Sequence, residues 1–323
     1  MTTFKSSGKK NVLFVDDEES IIMALKSLFK RDMSIKVFTT TSQVEALEIV
    51  KKHQIHVVVS DMRMPGMNGA ELLSHIRDIS PNTLRILLTG YSEIDNIIES
   101  INIGQVYRFL EKPWDNKDIK EKITTAINIS CSLWEDDLSI NKVKKLDHAT
   151  LLSHSILFIG DKRSVIFKLL HSHFRGVKIY HSTNEQKALV MISKHENITT
   201  VIAHIKRKNN IFFLLRVLKE QFPILVSMII TNEGDSKSAI KLINEAQVFR
   251  YIIEPMSEDQ LRIDITQTLQ YATLLQESPA LIKQHMVKEL SQDEKNRSLD
   301  ILNSSFMNNF SDQVTKVLTT KLF

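Results

Sequence analysis

Three acids, a hydroxyl and an amine in the first half of the chain could together handle a phosphoryl group: Asp16, Asp17, Asp61, Thr89 and Lys112. Carboxylates brought close repel one another. A hard divalent cation such as Mg2+, which prefers oxygen ligands and is commonly held by one or two carboxylates, relieves that repulsion. A carboxylate can itself be the nucleophile that accepts a phosphoryl group. A lysine then offsets the new negative charge, and a threonine hydroxyl donates a hydrogen bond to it. The plainer reading of Asp16 and Asp17 is as caps for a helix beginning near Ser20, where Asp is favoured. These residues lie far apart in sequence, so the chemistry exists only if folded elements bring them together.

Runs of strand length alternate with helical patterns along this region. NVLFV (11–15), IKVFT, HVVVS, LRILLT and YRFLE are separated by ESIIMALKSLFK, SQVEALEIVKK, GAELLSHIRDI and EIDNIIESINI, and KDIKEKITTAINI follows. Unbroken β-branched runs such as HVVVS read as central parallel strands covered on both faces. Strict alternation then predicts an α/β fold with a doubly wound parallel (βα)5 sheet. Ligands of such sheets bind at the carboxyl ends of the strands. Asp16-Asp17 ends strand one, Asp61 strand three, Thr89-Gly90 strand four and Lys112-Pro113 strand five, so all five side chains are predicted to converge.

In order and spacing, LFVDDE, SDMRMPGMNG, LLTGY and FLEKPW, over about residues 9–130, resemble the flavodoxin-like receiver domain of two-component response regulators. The resemblance implies Asp61 as phosphoacceptor and a magnesium site made by Asp16, Asp17, Asp61 and the Arg63 backbone carbonyl. It implies Thr89 and Lys112 as the phosphoryl-sensing pair, Tyr107 as an aromatic switch, and a cis bond before Pro113. The donor would be a histidine kinase or phosphotransfer protein. For Tyr107 the plainer reading is packing at a strand start. Arg63 and Tyr91 stand where members of the family tune phosphoryl lifetime.

A second copy follows. QVYRFLEKP (105–113) returns as QVFRYIIEP (247–255), SILFIGDKRS (155–164) matches NVLFVDDEES (11–20), and TTVIAHIKRK (199–208) matches HVVVSDMRMP (56–65). The registers differ by 144, 143 and 142 residues, which marks an internal repeat. The expected organisation is a phosphorylatable receiver at 1–130, a helical linker at 131–152, a degenerate receiver-like domain at 153–276 and a C-terminal helical segment at 277–323. In the copy Gly160 replaces Asp16, His204 replaces Asp61 and Glu254 replaces Lys112, while Asp161 and Thr231 remain. Such a pocket cannot hold magnesium as the first does. His204 has no second His or Cys at ligand spacing, so a satisfied pocket histidine is the simpler reading. Lys206, Arg207 and Lys208 form a basic cluster that reads as solvated surface or, less simply, as an anion site.

The 323 residues suit two domains, and 42% hydrophobic with 25% charged content is ordinary for a globular chain. One cysteine, Cys131, excludes an internal disulfide, and the N-terminus lacks a signal-peptide shape, so a cytoplasmic protein without membrane attachment is expected. An apolar stripe, Ile119, Ile123, Ile127, Leu133, Leu138, Val143 and Leu146, extends past the first domain and needs a partner surface, either the second domain or the same helix of another subunit in a homodimer. A C-terminal pattern with Ile301, Phe306, Phe310, Val314 and Leu318 suggests either core packing on the second domain or a partner-binding helix. TGY with FLEKPW is similar to receivers joined to HD-GYP phosphodiesterases, yet the chain has no HD/GYP pair, GGDEF, EAL or kinase glycine boxes. No enzymatic output is therefore expected; output through an unknown downstream protein is. A net charge of +4 argues only weakly for nucleic acid. The alternatives are a DNA-binding transcription regulator and an adaptor of a separate cyclic-dinucleotide enzyme.

Overall fold

The computed structural model describes residues 9–90, 106–135, 152–195, 197–205, 211–277 and 290–296, with positions 102, 150, 282, 298 and 300. The chain divides into two compact units. One is Met1–Lys142 with Asp235–Asn244; the other is Val143–Gly234 with Glu245–Phe323.

In the first unit the order is β1 (Lys10–Val15), α1 (Glu19–Leu28), β2 (Ile35–Thr40), α2 (Gln43–Lys52), β3 (Val57–Asp61), α3 (Gly69–Ile79), β4 (Leu84–Thr89), β5 (Arg108–Glu111) and α4 (Asn116–Glu135). The strands form a parallel sheet in the order β2-β1-β3-β4-β5. β3 and β4 are buried along their whole length. That is the physical meaning of their unbroken apolar runs: a central parallel strand has no solvent face. Ile119, Ile123, Ile127 and Leu133 of α4 are buried within the unit. The predicted continuation of this stripe through Leu138, Val143 and Leu146 lies outside the described residues, as does EIDNIIESINI apart from its position 102.

The second sheet contains β6 (Ser155–Ile159), β7 (Lys178–Ser182), β8 (Ile198–Ile205), β9 (Val226–Thr231) and β10 (Arg250–Ile253), interleaved with α5 (Val165–His173), α6 (Glu185–Lys194), α7 (Ile211–Gln221) and α8 (Ser236–Ala246). α9 (Glu258–Glu277) follows β10. Read from its β7 edge, this parallel sheet runs β7-β6-β8-β9-β10, the order of the first sheet.

The doubled nonapeptide makes the same backbone bonds in each sheet. Tyr107 N–H donates to Arg85 O at 2.8 Å and Lys112 N–H to Thr89 O at 2.9 Å; Phe249 N–H donates to Ser227 O at 2.9 Å and Glu254 N–H to Thr231 O at 2.7 Å. A second match involves different side chains. The carbonyls of Pro81 and Thr83, before β4, accept from the Arg85 guanidinium at 3.4 and 2.7 Å. Those of Pro223 and Leu225, before β9, accept from Lys219 Nζ at 2.8 and 2.9 Å. Each turn leaves two carbonyls in need of donors, and buried backbone groups must be paired. A basic side chain supplies them in both, from the strand in one case and from the preceding helix in the other.

The C-terminal segment at 290–296 packs on the second unit. Leu290 is buried and its N–H donates to Glu220 Oε1 at 3.1 Å, while Glu294 pairs with Arg216 of α7. The apolar pattern from Ile301 to Leu318 lies outside the described residues. Among those residues, no helix is long and apolar enough to cross a membrane.

Candidate functional site

The carboxyl ends of β1, β3 and β5 bring Asp16, Asp61 and Lys112 into direct contact. The Lys112 ammonium lies 2.9 Å from Asp16 Oδ2 and 2.5 Å from Asp61 Oδ1. Asp16 is 1% exposed, and its Oδ1 accepts from the Glu18 N–H at 2.9 Å. It is not a side-chain cap of α1, whose N-cap is Glu18 and makes no side-chain cap bond. Asp17 is exposed and lines, with Met62, Arg63, Met64, Pro65 and Asn68, a cavity of about 380 Å³ beside Asp61.

Asp61 is buried, and burial holds its pKa above the ordinary carboxylate value against the opposing pull of Lys112 and of the Arg63 N–H, which donates to Oδ2 at 2.7 Å. Burial would lower the Lys112 amine. The hydrogen bonds and charges of Asp61 and Asp16 outweigh it, and the net shift is upward. Thr89 is buried with its hydroxyl donating to Gly90 O at 3.1 Å. Tyr107 is also buried, and burial raises its phenol pKa; the Arg108 guanidinium stands 5.5 Å from its ring centre. The Lys112–Pro113 bond is cis.

Among the described residues, no three His, Cys, Asp or Glu side chains converge as a ready ligand set for a metal ion. Two acids do. Asp16 and Asp61 turn oxygens toward the same cation, the Lys112 ammonium. Two carboxylates facing one positive charge are a donor set of the kind magnesium uses, with water completing its shell. The residues therefore fit the ion through Asp16 and Asp61, with Asp17 at the rim of the adjoining cavity.

Gly69 is a site residue that motif reading passed over. A Cβ there would stand 2.0 Å from Asp61 O and 3.0 Å from Ser60 Oγ. Its N–H bonds Met62 O at 3.0 Å, and Asn68 and Glu71 form a reciprocal capping box immediately beside it. The first turn of α3 thus seats directly on the acceptor strand, which only glycine permits. The signal was present in MRMPGMNG as its second glycine, but a contact with Asp61 eight residues earlier is invisible in sequence. Gly69→Ala is expected to cost about 3 kcal/mol of stability, in the range of an overpacked core. Urea unfolding followed by the fluorescence of Trp114 and Trp134, the two tryptophans of the chain, checks this. A change within a few tenths of a kcal/mol would refute the close seating.

The second unit builds a different pocket at the matching strand ends. His204 and Glu254 pair at 3.2 Å between Nε2 and Oε2. The acid and base have exchanged strands relative to Asp61 and Lys112. His204 Nδ1 is buried without a hydrogen-bond partner. Asp161 is turned to Arg163, whose NH2 lies 3.2 Å from Oδ2. The Thr231 hydroxyl accepts from the Glu233 N–H at 3.2 Å. At Gly160 a Cβ would meet the Phe158 ring at 3.0 Å and His204 Cβ at 3.1 Å. An aspartate at 160 and the present His204 packing are therefore in conflict. Glu254–Pro255 is also cis. Lys206, Arg207 and Lys208 lie outside the described residues, as does Tyr91.

Comparison with known proteins bears on the first unit. Residues 12–124 match the response regulator receiver domain. Sporulation initiation phosphotransferase F of Bacillus subtilis is 33% identical over 114 residues, which cover 35% of this chain and 90% of that protein. Hydrogenase transcriptional regulatory protein HoxA of Cupriavidus necator is 31% identical over 122 residues, 38% of this chain and 25% of HoxA. A solved receiver domain from Clostridium thermocellum is 34% identical, covering 38% of this chain and 98% of that one, with a TM-score of 0.36. Through residues 12–124 the chain belongs to the response regulator receiver domain family. It spans about a quarter of the length of HoxA.

Proposed function

We propose that this chain is a two-component response regulator in which Asp61 accepts a phosphoryl group from a histidine kinase or a phosphotransfer protein. The observation that carries the reading is the Lys112 ammonium held between Asp16 and Asp61 at the carboxyl edge of the sheet. An Asp61 oxygen attacks phosphorus, a P–O or P–N bond to the donor breaks, and the leaving group departs with the electron pair. Bound Mg2+, on Asp16 and Asp61, would neutralise charge on the transferring group. Lys112 exchanges its bond to Asp61 for one to a phosphoryl oxygen. The Thr89 hydroxyl, now on Gly90 O, rotates to donate to another. Tyr107, already buried, follows the movement of Thr89, and the surface around β5 changes with it.

The second unit we read as a receiver-like domain that keeps the sheet and has lost the acceptor. With His204 in place of the nucleophile and Glu254 in place of the lysine, it serves protein contacts rather than phosphoryl chemistry. Output through an unidentified protein partner, from a soluble cytoplasmic chain with no catalytic activity beyond its own dephosphorylation, completes the proposal. HoxA is named as transcriptional, but the match covers a quarter of it, so DNA binding remains the alternative and shows as a gel shift with a steep salt slope.

Intact mass after incubation with acetyl phosphate and magnesium tests the reading. Wild type is expected to gain one phosphoryl group, His204→Ala to gain it equally, and Asp61→Asn to gain none. An adduct that survives in Asp61→Asn would remove Asp61 as the acceptor.

A further inference from the structure

β5 is a four-residue strand at the edge of the first sheet, bonded on one side only, to β4, and it leads directly into Lys112. Midway along it, the Phe109 N–H and C=O face away from β4. Both are taken by one side chain: Asn244 Oδ1 accepts from Phe109 N at 2.9 Å, and Asn244 Nδ2 donates to Phe109 O at 2.9 Å. Asn244 closes the segment Asp235–Asn244, which belongs to the same compact unit as this sheet. A carboxamide has the donor and acceptor of a peptide group, so Asn244 stands in for a residue of a sixth strand. Reversing the amide would set donor against donor, which fixes its orientation.

We propose that Asn244 is a positioning residue for Lys112, holding β5 in the place from which the ammonium reaches Asp16 and Asp61. The proposal rests on the phosphoacceptor reading above for its functional meaning. Phe109 lies three residues before Lys112 in a strand too short to be held firmly by β4 alone, and its side chain is buried in the core. Without the clasp, the two outward backbone groups must find water, and an edge strand freed on one side moves more readily. Lys112 then loses its fixed approach to the two carboxylates.

The full-length protein is compared with Asn244→Leu, which has the same shape and neither polar group, and Asn244→Asp, which can accept from Phe109 N–H but sets a carboxylate against Phe109 C=O. Amide hydrogen exchange along β1, β3, β4 and β5 is followed by NMR, the Lys112 N–H, which donates to Thr89 O at 2.9 Å, being the reporter, and phosphoryl uptake from acetyl phosphate is timed by mass. Both variants are expected to speed exchange at Leu110 and Lys112 while β1 and β3 exchange as in wild type, and to slow uptake at Asp61 about five-fold, the scale of one net hydrogen bond. A role limited to stability would raise exchange throughout the sheet alike, and that result, or wild-type exchange at Lys112, in folded Asn244→Leu or Asn244→Asp overturns the proposal. If wild type takes up no phosphoryl group, the function proposed above fails, while exchange at the Lys112 amide still decides the role of Asn244.

Discussion

In Lys112→Met, the first unit is expected to lose about 3 kcal/mol of stability near neutral pH, and Mg2+ is expected to restore much of it. Asp16 and Asp61 are 1% and 7% exposed, and the lysine is the cation between them. Removing one partner of a buried charge cluster leaves the others uncompensated, which typically costs about 3–5 kcal/mol; the partial exposure of Lys112 argues for the lower end. Two neighbouring carboxylates must then share a proton or bind another cation. In wild type, Mg2+ competes with Lys112 for the same oxygens and adds less. Unfolding monitored by Trp114 and Trp134 with and without millimolar MgCl2 gives both numbers. Equal magnesium stabilisation of wild type and Lys112→Met would mean that the ion does not use Asp16 and Asp61.

Lys219 sets the second expectation, in the other unit. Its ammonium is enclosed within the protein, bonded to Pro223 O and Leu225 O, and burial pushes the amine down to about 7. Below that pH both folded and unfolded chains carry the proton, and the folded state bears the full cost of the buried charge. Between about 7 and the ordinary lysine value of 10.5 the unfolded chain holds a proton that the folded chain has released, so stability rises with pH. The full rise is on the order of 5 kcal/mol. In Lys219→Met that component disappears, although the two carbonyls lose their donor and stability at pH 10 falls. Urea unfolding at constant ionic strength, followed by far-ultraviolet circular dichroism at pH 7 and pH 10, measures the difference. The same pH slope in both proteins would show that the amine is not the titrating group.

What the sequence alone determined was the set of elements and the end of the sheet where chemistry belongs. Apolar runs at strand spacing, broken by helical patterns, dictate a parallel sheet because only that arrangement buries both faces of HVVVS and LRILLT. Asp16, Asp61, Thr89 and Lys112 follow from the same logic, since each ends a strand and parallel strands end together. The repeat was legible too, because the likeness of QVYRFLEKP to QVFRYIIEP survives the exchange of Lys112 for Glu254. Contacts between side chains distant in sequence were not legible. Gly69 is required by an approach of α3 to Asp61 O that no local pattern records. Gly160 is tied to His204 through packing across two strands, and the basic side chain over the turn carbonyls comes from Arg85 in one unit and Lys219 in the other. Asn244 meets Phe109 from 135 residues away. Local propensity and spacing act along the chain and so can be read from it, whereas close approach and hydrogen-bond satisfaction depend on which surfaces meet, and only the tertiary structure decides that.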